Sequence, residues 1–337
     1  MGATVEVEHL TKSFGRQNIW HDVSLTLPAG EISALLGPSG TGKSVFLKTL
    51  IGLVRPERGT VRVDGVDVIS CGERELQEVR KRFGVLFQDG ALFGSLSLYD
   101  NVAFPLREHT RKGESEIRRI VEEKMELVGL AGAGAKLPGQ ISGGMRKRAG
   151  LARALVLDPD IILVDEPDSG LDPVRTSYLA QTLVDLNAEL DTTILIVTHN
   201  IELARRLPDN LGMLFNRRLV MFGPREVMLT CDEPVVEQFL NGRRLGPIGM
   251  SEEKDAATAA LEAETIEEDD ETIRGLVPQM RPSRGLPDRP GEARRAHRVT
   301  DLLHALPARQ REEILAAAPA PEAARWRDLH AAGTAVP

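Results

Sequence analysis

The sequence predicts an α/β fold in which strands alternate with helices around a largely parallel sheet. Three observations carry that expectation. A glycine-rich loop, Gly37–Ser44, follows the short apolar segment Glu31–Leu36 and runs into Ser44–Leu53, which reads as strand, loop and helix. Ile161–Val164 and Thr193–Val197 are continuous apolar runs rich in β-branched residues, the pattern of strands buried on both faces. Glu114–Leu130 places Ile117, Ile120, Val121, Met125 and Val128 on one helical face. Such an arrangement puts ligands at the C-terminal ends of the strands.

Val5–Leu10 alternates apolar and polar residues and reads as a further strand. Residues 1 to about 240 form the expected nucleotide-binding domain, with a helical subdomain over about 90–157. The remainder, 241–337, reads as a largely flexible extension. Its first part, about 238–250, offers Phe239, Leu240, Leu245, Ile248 and Met250 as apolar surface for a second copy. Glu252–Glu271 then carries ten acidic side chains and one lysine, and Arg274–Arg298 carries seven arginines among Pro and Gly. Charge blocks of this kind favour a solvated linker. Thr300 or Asp301 can cap a short helix through Leu302, Leu303 and Leu306, and Pro307 can open another through Ile314 and Leu315. Ending the chain after Gly249 is therefore expected to spare dimerisation and hydrolysis, and ending it after Thr230 to impair dimerisation.

Composition excludes several classes. A net charge of −8 gives no support to nucleic acid as a partner. Cys71 and Cys231 are the only two cysteines, far apart, which argues against a disulfide framework or a zinc site and suits a reducing cytosol. No apolar run approaches the roughly 20 residues that cross a bilayer, and the N-terminus lacks the basic-then-apolar pattern of a signal peptide. A membrane role is expected to pass through a protein partner, at the cytoplasmic face.

Gly37-Pro38-Ser39-Gly40-Thr41-Gly42-Lys43-Ser44 fits the phosphate-binding loop G-x-x-x-x-G-K-[ST]. Its glycines let backbone N–H groups turn around phosphate oxygens while the next helix presents its positive end. Lys43 would reach the β- and γ-phosphates of ATP, and the Ser44 hydroxyl would coordinate Mg²⁺. Asp165 and Glu166 close the run Ile161–Val164. Alternation sends adjacent side chains to different sides, so Asp165 can hold Mg²⁺ while Glu166 orients and polarises the attacking water. Ser142-Gly143-Gly144-Met145 precedes the helical stretch Arg146–Leu157. Ser142 is a good N-cap and the glycines leave backbone N–H groups open. This is a second anion site without a lysine. One nucleotide cannot easily use both on one domain, whereas two copies arranged head to tail can.

In this order the motifs resemble the nucleotide-binding domain of ABC transporters, over residues 1 to about 240. The resemblance implies further roles. Gln88 looks like the Q-loop residue, which touches Mg²⁺ beside the permease's coupling helix. Ser169-Gly170-Leu171-Asp172 looks like the D-loop, crossing to the partner copy. His199 looks like the switch histidine at the γ-phosphate, and Phe14 sits where the family stacks an aromatic on adenine. Met145 in place of the usual glutamine, and the run after Gln88, DGALFGSL, resemble the ATPases of the Mla/Mce lipid transporters. That subfamily implies lipid import with YrbE/MlaE-like permeases and, indirectly, Mce-type substrate-binding proteins. An importer of amino acids or other polar solutes would share every catalytic motif. A chromosome or repair ATPase is disfavoured because no heptad-rich insertion fills Ser44 to Ser142. A translation-associated protein of this kind would carry two such domains.

Overall fold

Alternation builds the first sheet. In β1 (Val5–Phe14), Val5, Val7 and Leu10 are buried while Glu6 and Glu8 face solvent. β2 (Gln17–Leu27) pairs antiparallel with it through a turn at Gly15, where φ is 60°. β4 (Arg58–Val63) and β5 (Val66–Asp67) complete a four-stranded antiparallel sheet in the order β2-β1-β4-β5. The sequence expectation identified only the start of β1 here. The partner's signal was present in Trp20, Val23, Leu25 and Leu27, all buried. This computed structural model describes residues 2–243, 246–249, 277, 279–318 and 320–333.

The second sheet carries the phosphate loop. It contains β3 (Ile32–Leu36), β6 (Phe83–Leu86), β7 (Ile161–Asp165), β8 (Thr193–Val197), β9 (Asn210–Phe215) and β10 (Arg218–Pro224), in the order β10-β9-β3-β8-β7-β6. All neighbours run parallel except β10, which is antiparallel to β9. Alternate side chains of β7 and β8 enter two different cores. Ile162, Val164, Ile194 and Ile196 pack with Val102, Leu151 and Leu155 of the helical subdomain. Ile161, Leu163, Leu195 and Val197 pack with Phe46, Leu50, Val23 and Leu27 on the other face. Both faces exclude water, which is why these strands read as unbroken apolar runs. Each such residue contributes roughly 1.5–3 kcal/mol of burial.

α1 (Lys43–Leu50) leaves the loop after β3, and α2 (Glu73–Lys81) precedes β6. The helical subdomain is built from α3 (Leu98–His109), α4 (Glu114–Leu127) and α5 (Gly143–Leu155). Beyond β7, α6 (Pro173–Leu190) is capped by Asp172, whose side chain accepts from the Arg175 N–H at 2.9 Å. α7 (Ile201–Arg206), α8 (Arg225–Met228) and α9 (Pro234–Asn241) finish the cassette. Among the described residues no helix is long and apolar enough to cross a membrane.

The extension departs from its sequence reading in three ways. Helix α10 spans Pro290–Ala305, so it begins ten residues before Thr300. Thr300 lies inside the helix, its hydroxyl donating to the Ala296 carbonyl at 2.8 Å. α11 (Ala308–Ala317) and α12 (Ala320–Gly333) follow, and Val299, Leu303, Ile314 and Trp326 form a small core of their own. Second, the arginine-rich stretch is solvated only in part: Arg281, Arg284 and Arg294 are exposed, while the other described arginines are anchored to the chain's first 240 residues. Arg289 is buried, donating to Asn187 Oδ1 at 2.6 Å and pairing with Asp209. Arg295 is buried against Glu226, and Arg298 grips Glu31 through both carboxylate oxygens at 2.6 Å. Pairing with buried acids on the cassette is what a count of like charges could not reveal. Third, Leu240 is buried and Phe239 and Ile248 pack against the cassette's own core, with Gln238 bonding both the N–H and carbonyl of Ile248. Apolar surface that the sequence offered to a second copy is thus used within the chain. Leu245, Met250 and the acidic block Glu252–Glu271 lie outside the described residues.

Candidate functional site

The loop after β3 owes its shape to its glycines. Gly37 has φ 150°, and a Cβ there would come within 2.3 Å of the Leu214 carbonyl. Gly42, at φ 87°, caps α1 where a Cβ would strike Ile19 and Trp20. Any side chain at these two positions would break the turn. Inside the curve, the buried Lys43 ammonium donates to the carbonyls of Gly37 at 2.7 Å and Pro38 at 2.9 Å. The Thr41 hydroxyl donates to the Pro38 carbonyl at 2.9 Å. Pro38, Ser39 and Gly40 form the tip, with Gly40 at φ 85°.

Strand β7 brings the acids beside this loop. Ser44 Oγ donates to Asp165 Oδ1 at 2.9 Å, across 121 residues of sequence. Burial pushes the Asp165 carboxyl above its ordinary range, opposed by the Ser44 hydrogen bond. Burial likewise lowers the Lys43 pKa, opposed by the charges of Glu166 and Asp165. A cation and a carboxylate share a partly desolvated spot, which is the setting in which charge interactions strengthen.

Glu166 turns away from its neighbour. Its φ of 44° is left-handed, costing a non-glycine residue about 1 kcal/mol or more. The peptide is fixed by its N–H donating to Val197 O at 2.8 Å. The carboxylate then lies 3.5 Å from His199 Nδ1, at the end of β8, with His199 half-exposed. Asp165 and Glu166 therefore face different partners, Asp165 as the last residue of β7 and Glu166 turned by its left-handed backbone just beyond it. Nearby, the buried Thr198 hydroxyl donates to Asp168 Oδ1 at 2.8 Å, tying the ends of β7 and β8.

Gln88, just past β6, donates through Nε2 to Ser169 Oγ at 3.2 Å. Ser142 Oγ accepts from the Met145 N–H at 3.3 Å, capping α5 above Gly143 and Gly144. Phe14 is 49% exposed, with the Lys12 ammonium 4.9 Å from its ring centre. Lys43, Ser44, Asp165, Glu166 and His199 thus form one cluster, and Gln88 joins it through Ser169. Ser142–Met145 is linked to the same turn indirectly, since a Cβ at Gly144 would touch Leu171 at 3.3 Å.

Sequence reasoning missed three residues that build this neighbourhood. Lys147 on α5 donates to the carbonyls of Glu166 at 3.1 Å and Pro167 at 2.9 Å, and to that of Ser169. Arg153, two turns on, donates to Ala91 O at 2.7 Å and Gly90 O at 2.8 Å. Asn101, fully buried, holds the Phe93 N–H and the carbonyls of Phe93, Leu96 and Ser97. The lysine and arginine read as an ordinary basic helix face, because their acceptors are backbone groups with no sequence signature.

Comparison with known proteins agrees with this geometry. A family described as ABC transporter matches residues 20–169. The chain is 66% identical over 320 residues to a probable ribonucleotide transport ATP-binding protein, mkl, of Mycobacterium tuberculosis, covering 94% of this chain and 89% of that protein. It is 43% identical over 244 residues to the intermembrane phospholipid transport system ATP-binding protein MlaF of Haemophilus influenzae, covering 72% of this chain and 92% of that one. The dimeric post-hydrolysis ATP-binding cassette MJ0796, bound to ADP and Pi, superposes with a TM-score of 0.62 at 30% identity, over 66% of this chain and 98% of that one. The phosphate loop, the paired acids and these relatives together make the chain a member of the ABC transporter family, an ATP-binding and ATP-hydrolysing subunit.

Proposed function

We propose that two copies bind ATP head to tail, and that closure and hydrolysis drive lipid import through YrbE/MlaE-like permeases at the cytoplasmic face of the membrane. The observation that carries the lipid reading is the similarity to MlaF along the whole cassette, reinforced by Met145 after Gly144 and by DGALFGSL after Gln88. In this reading Gly37–Ser44 cradles the phosphates and Lys43 neutralises them. Phe14 offers its exposed ring to adenine. Ser142, Gly143, Gly144 and Met145 meet the γ-phosphate held by the other copy, and Asp172 and its loop reach towards that copy.

Ser44 and Asp165 present two hard oxygens 2.9 Å apart, one from a buried carboxyl, which fits Mg²⁺. Gln88 would complete the set. When bound, Mg²⁺ supplies charge neutralisation to the phosphate oxygens. The chain's own residues do the rest. Glu166 orients and polarises the water for in-line attack, and His199, beside it, contacts the γ-phosphate. Residues 1–240 form the motor domain, with its helical subdomain at about 90–157, and 241–337 the extension.

Two half-sites per chain have a direct test. Lys43→Ala and Ser142→Arg variants, each unable to dimerise on ATP alone, are expected to pair when mixed, since each heterodimer keeps one complete site. Light scattering reads the result, and normal ATP-dependent dimerisation of Ser142→Arg by itself would overturn the arrangement.

The permease contact is placed on the loop after Gln88. Phe93 and Phe104 are 47% and 39% exposed with ring centres 5.1 Å apart, and Asn101 fixes the backbone beneath them. Paired exposed aromatics on a rigid base suit a binding anchor. Phe93→Asp should lower permease co-purification and uptake while ATP binding is unchanged; unaltered co-purification and uptake would refute the placement.

A polar cargo is the second reading, favoured by the ribonucleotide-transport name of the mycobacterial relatives. Co-purification of the endogenous protein identifies its permease, and uptake assays in a strain lacking it identify the cargo. The lipid reading expects lost fatty-acid, phospholipid or sterol uptake with ribonucleotide uptake intact. The reverse pattern would replace it.

A further inference from the structure

We propose that Lys147 is a positioning residue for hydrolysis, fixing the turn that carries Glu166 from the helix that begins at Ser142. The inference rests on the reading of Glu166 as the water-orienting residue. Lys147 is buried, and its ammonium donates three hydrogen bonds, all to main-chain carbonyls: those of Glu166, Pro167 and Ser169. An ammonium has three donors and no acceptor, so these bonds use its full capacity. No side-chain carboxylate is among the acceptors. The side chain therefore spends its hydrogen bonds on backbone, while the carboxylates of Asp168, Asp89 and Glu166 act on its charge only through space.

The backbone it holds is the strained part of the site. Glu166 sits at φ 44°, with its N–H already committed to Val197 O at 2.8 Å. Lys147 takes the carbonyl of the same residue, so the residue is gripped on both sides. The third acceptor, Ser169, is the residue whose hydroxyl receives Gln88. One cation thus holds three points of one turn: the strained Glu166, Pro167 after it, and, past Asp168, the serine that meets the loop after β6.

The helix face supporting Lys147 is packed backbone to backbone. A Cβ at Gly150 would come within 3.0 Å of Gly90, and one at Gly90 within 2.7 Å of the Arg146 carbonyl. Arg153 holds Gly90 and Ala91 from the same face. Lys147, Gly150 and Arg153 are spaced by three, so they share one side of α5. The helix is thus packed directly on the loop it crosses, and Lys147 acts from that contact. Ser142 caps the start of this helix, so the element that meets one nucleotide also sets the carboxylate that acts on the other.

The consequence is a kinetic one. A carboxylate displaced by about 1 Å loses on the order of 10²-fold in rate while contacts to the phosphates stay in place. Lys147→Met keeps the length and removes the donors; Lys147→Arg keeps donors. ATP turnover, ATP affinity and melting temperature are measured on the full chain for both, with Glu166→Gln alongside. Lys147→Met is expected to lose on the order of 10²-fold in kcat with KM for ATP within about twofold, and Lys147→Arg to recover most of it. Wild-type kcat in Lys147→Met, with Glu166→Gln inactive, would overturn this inference and leave the function standing. A loss shared equally between kcat and ATP affinity, or one tracking a lowered melting temperature and not rescued by Arg, would make Lys147 structural and also overturn it. Near-normal turnover in Glu166→Gln would instead remove the reading of Glu166 on which the inference rests.

Discussion

Glu166→Gln is expected to reduce ATP turnover by about 10²–10⁴-fold, the usual contribution of a positioned general base. ATP binding should change by no more than about a factor of two. The separation follows from the geometry. The loop that would hold the phosphates takes its bonds from Gly37, Pro38 and Lys43, and Ser44 pairs with Asp165; none of these hydrogen bonds involves the Glu166 carboxylate, which acts on Lys43 only through its charge. That carboxylate faces His199 at 3.5 Å. The amide is the same size and keeps a hydrogen-bonding oxygen, but it cannot polarise water as a carboxylate does. The ATP-bound dimer should persist longer in consequence. Lys43→Ala, which removes a phosphate contact, should instead weaken nucleotide binding. Near-normal turnover in Glu166→Gln, by a phosphate-release assay, would withdraw the assignment.

The second large effect concerns stability. Arg289→Met should destabilise the chain by about 3–5 kcal/mol, the cost of breaking a buried pair by removing one member. Asp209 would keep its place beneath β3, where it accepts the Ile32 N–H at 2.9 Å, but would lose the guanidinium on both oxygens. Ending the chain after Gly249 removes Arg289, Arg295 and Arg298 together, and with them the partners of Asp209, Glu226 and Glu31. A lower melting temperature is expected of that truncation, for which the sequence alone led only to the expectation that dimerisation and hydrolysis are spared. An unchanged melting temperature for both variants would show the extension to be a passenger. The pH dependence has a definite sign. Burial would raise the Asp209 pKa, but Arg289 and Arg295 outweigh it and hold the carboxyl at about 2, against about 3.9 in the unfolded chain. A depressed carboxyl stabilises above its unfolded pKa, so about 2–3 kcal/mol is present at neutral pH and lost as pH falls from about 4 to about 2. In urea unfolding, the gap between wild type and Arg289→Met should narrow over that interval. A gap independent of pH would mean that Asp209 is not the group responsible.

Much of the cassette was legible because its signals are local. Ile161–Val164 and Thr193–Val197 are buried on both faces and therefore unbroken, and Gly37–Ser44 needs its glycines wherever it occurs. The pairing of Ser44 with Asp165 could be anticipated because each carries its own motif. The grips of Lys147 and Arg153 could not, since main-chain carbonyls exist at every position and leave no trace in the side chains. The short helices of the extension were legible, but the anchoring of its arginines was not, for a related reason. Arg289, Arg295 and Arg298 look solvated when counted with their neighbours, but the first two are buried and the third is half-buried against Asp209, Glu226 and Glu31, far away in sequence. Long-range charge pairing is invisible to composition.

Where Gly90 meets Gly150, main chain rests on main chain with no side chain between them. Side chains absorb small displacements by changing rotamer, in the way that a soft washer takes up play. Here there is nothing to compress. A push on the turn after Gln88 has to arrive at α5 as motion of the whole helix, and so at Ser142 on its end. Gly150→Ala would set a methyl 3.0 Å from Gly90 and from Leu86 Cδ1, and Gly90→Ala, at φ 78°, would strain the turn and meet the Arg146 carbonyl at 2.7 Å.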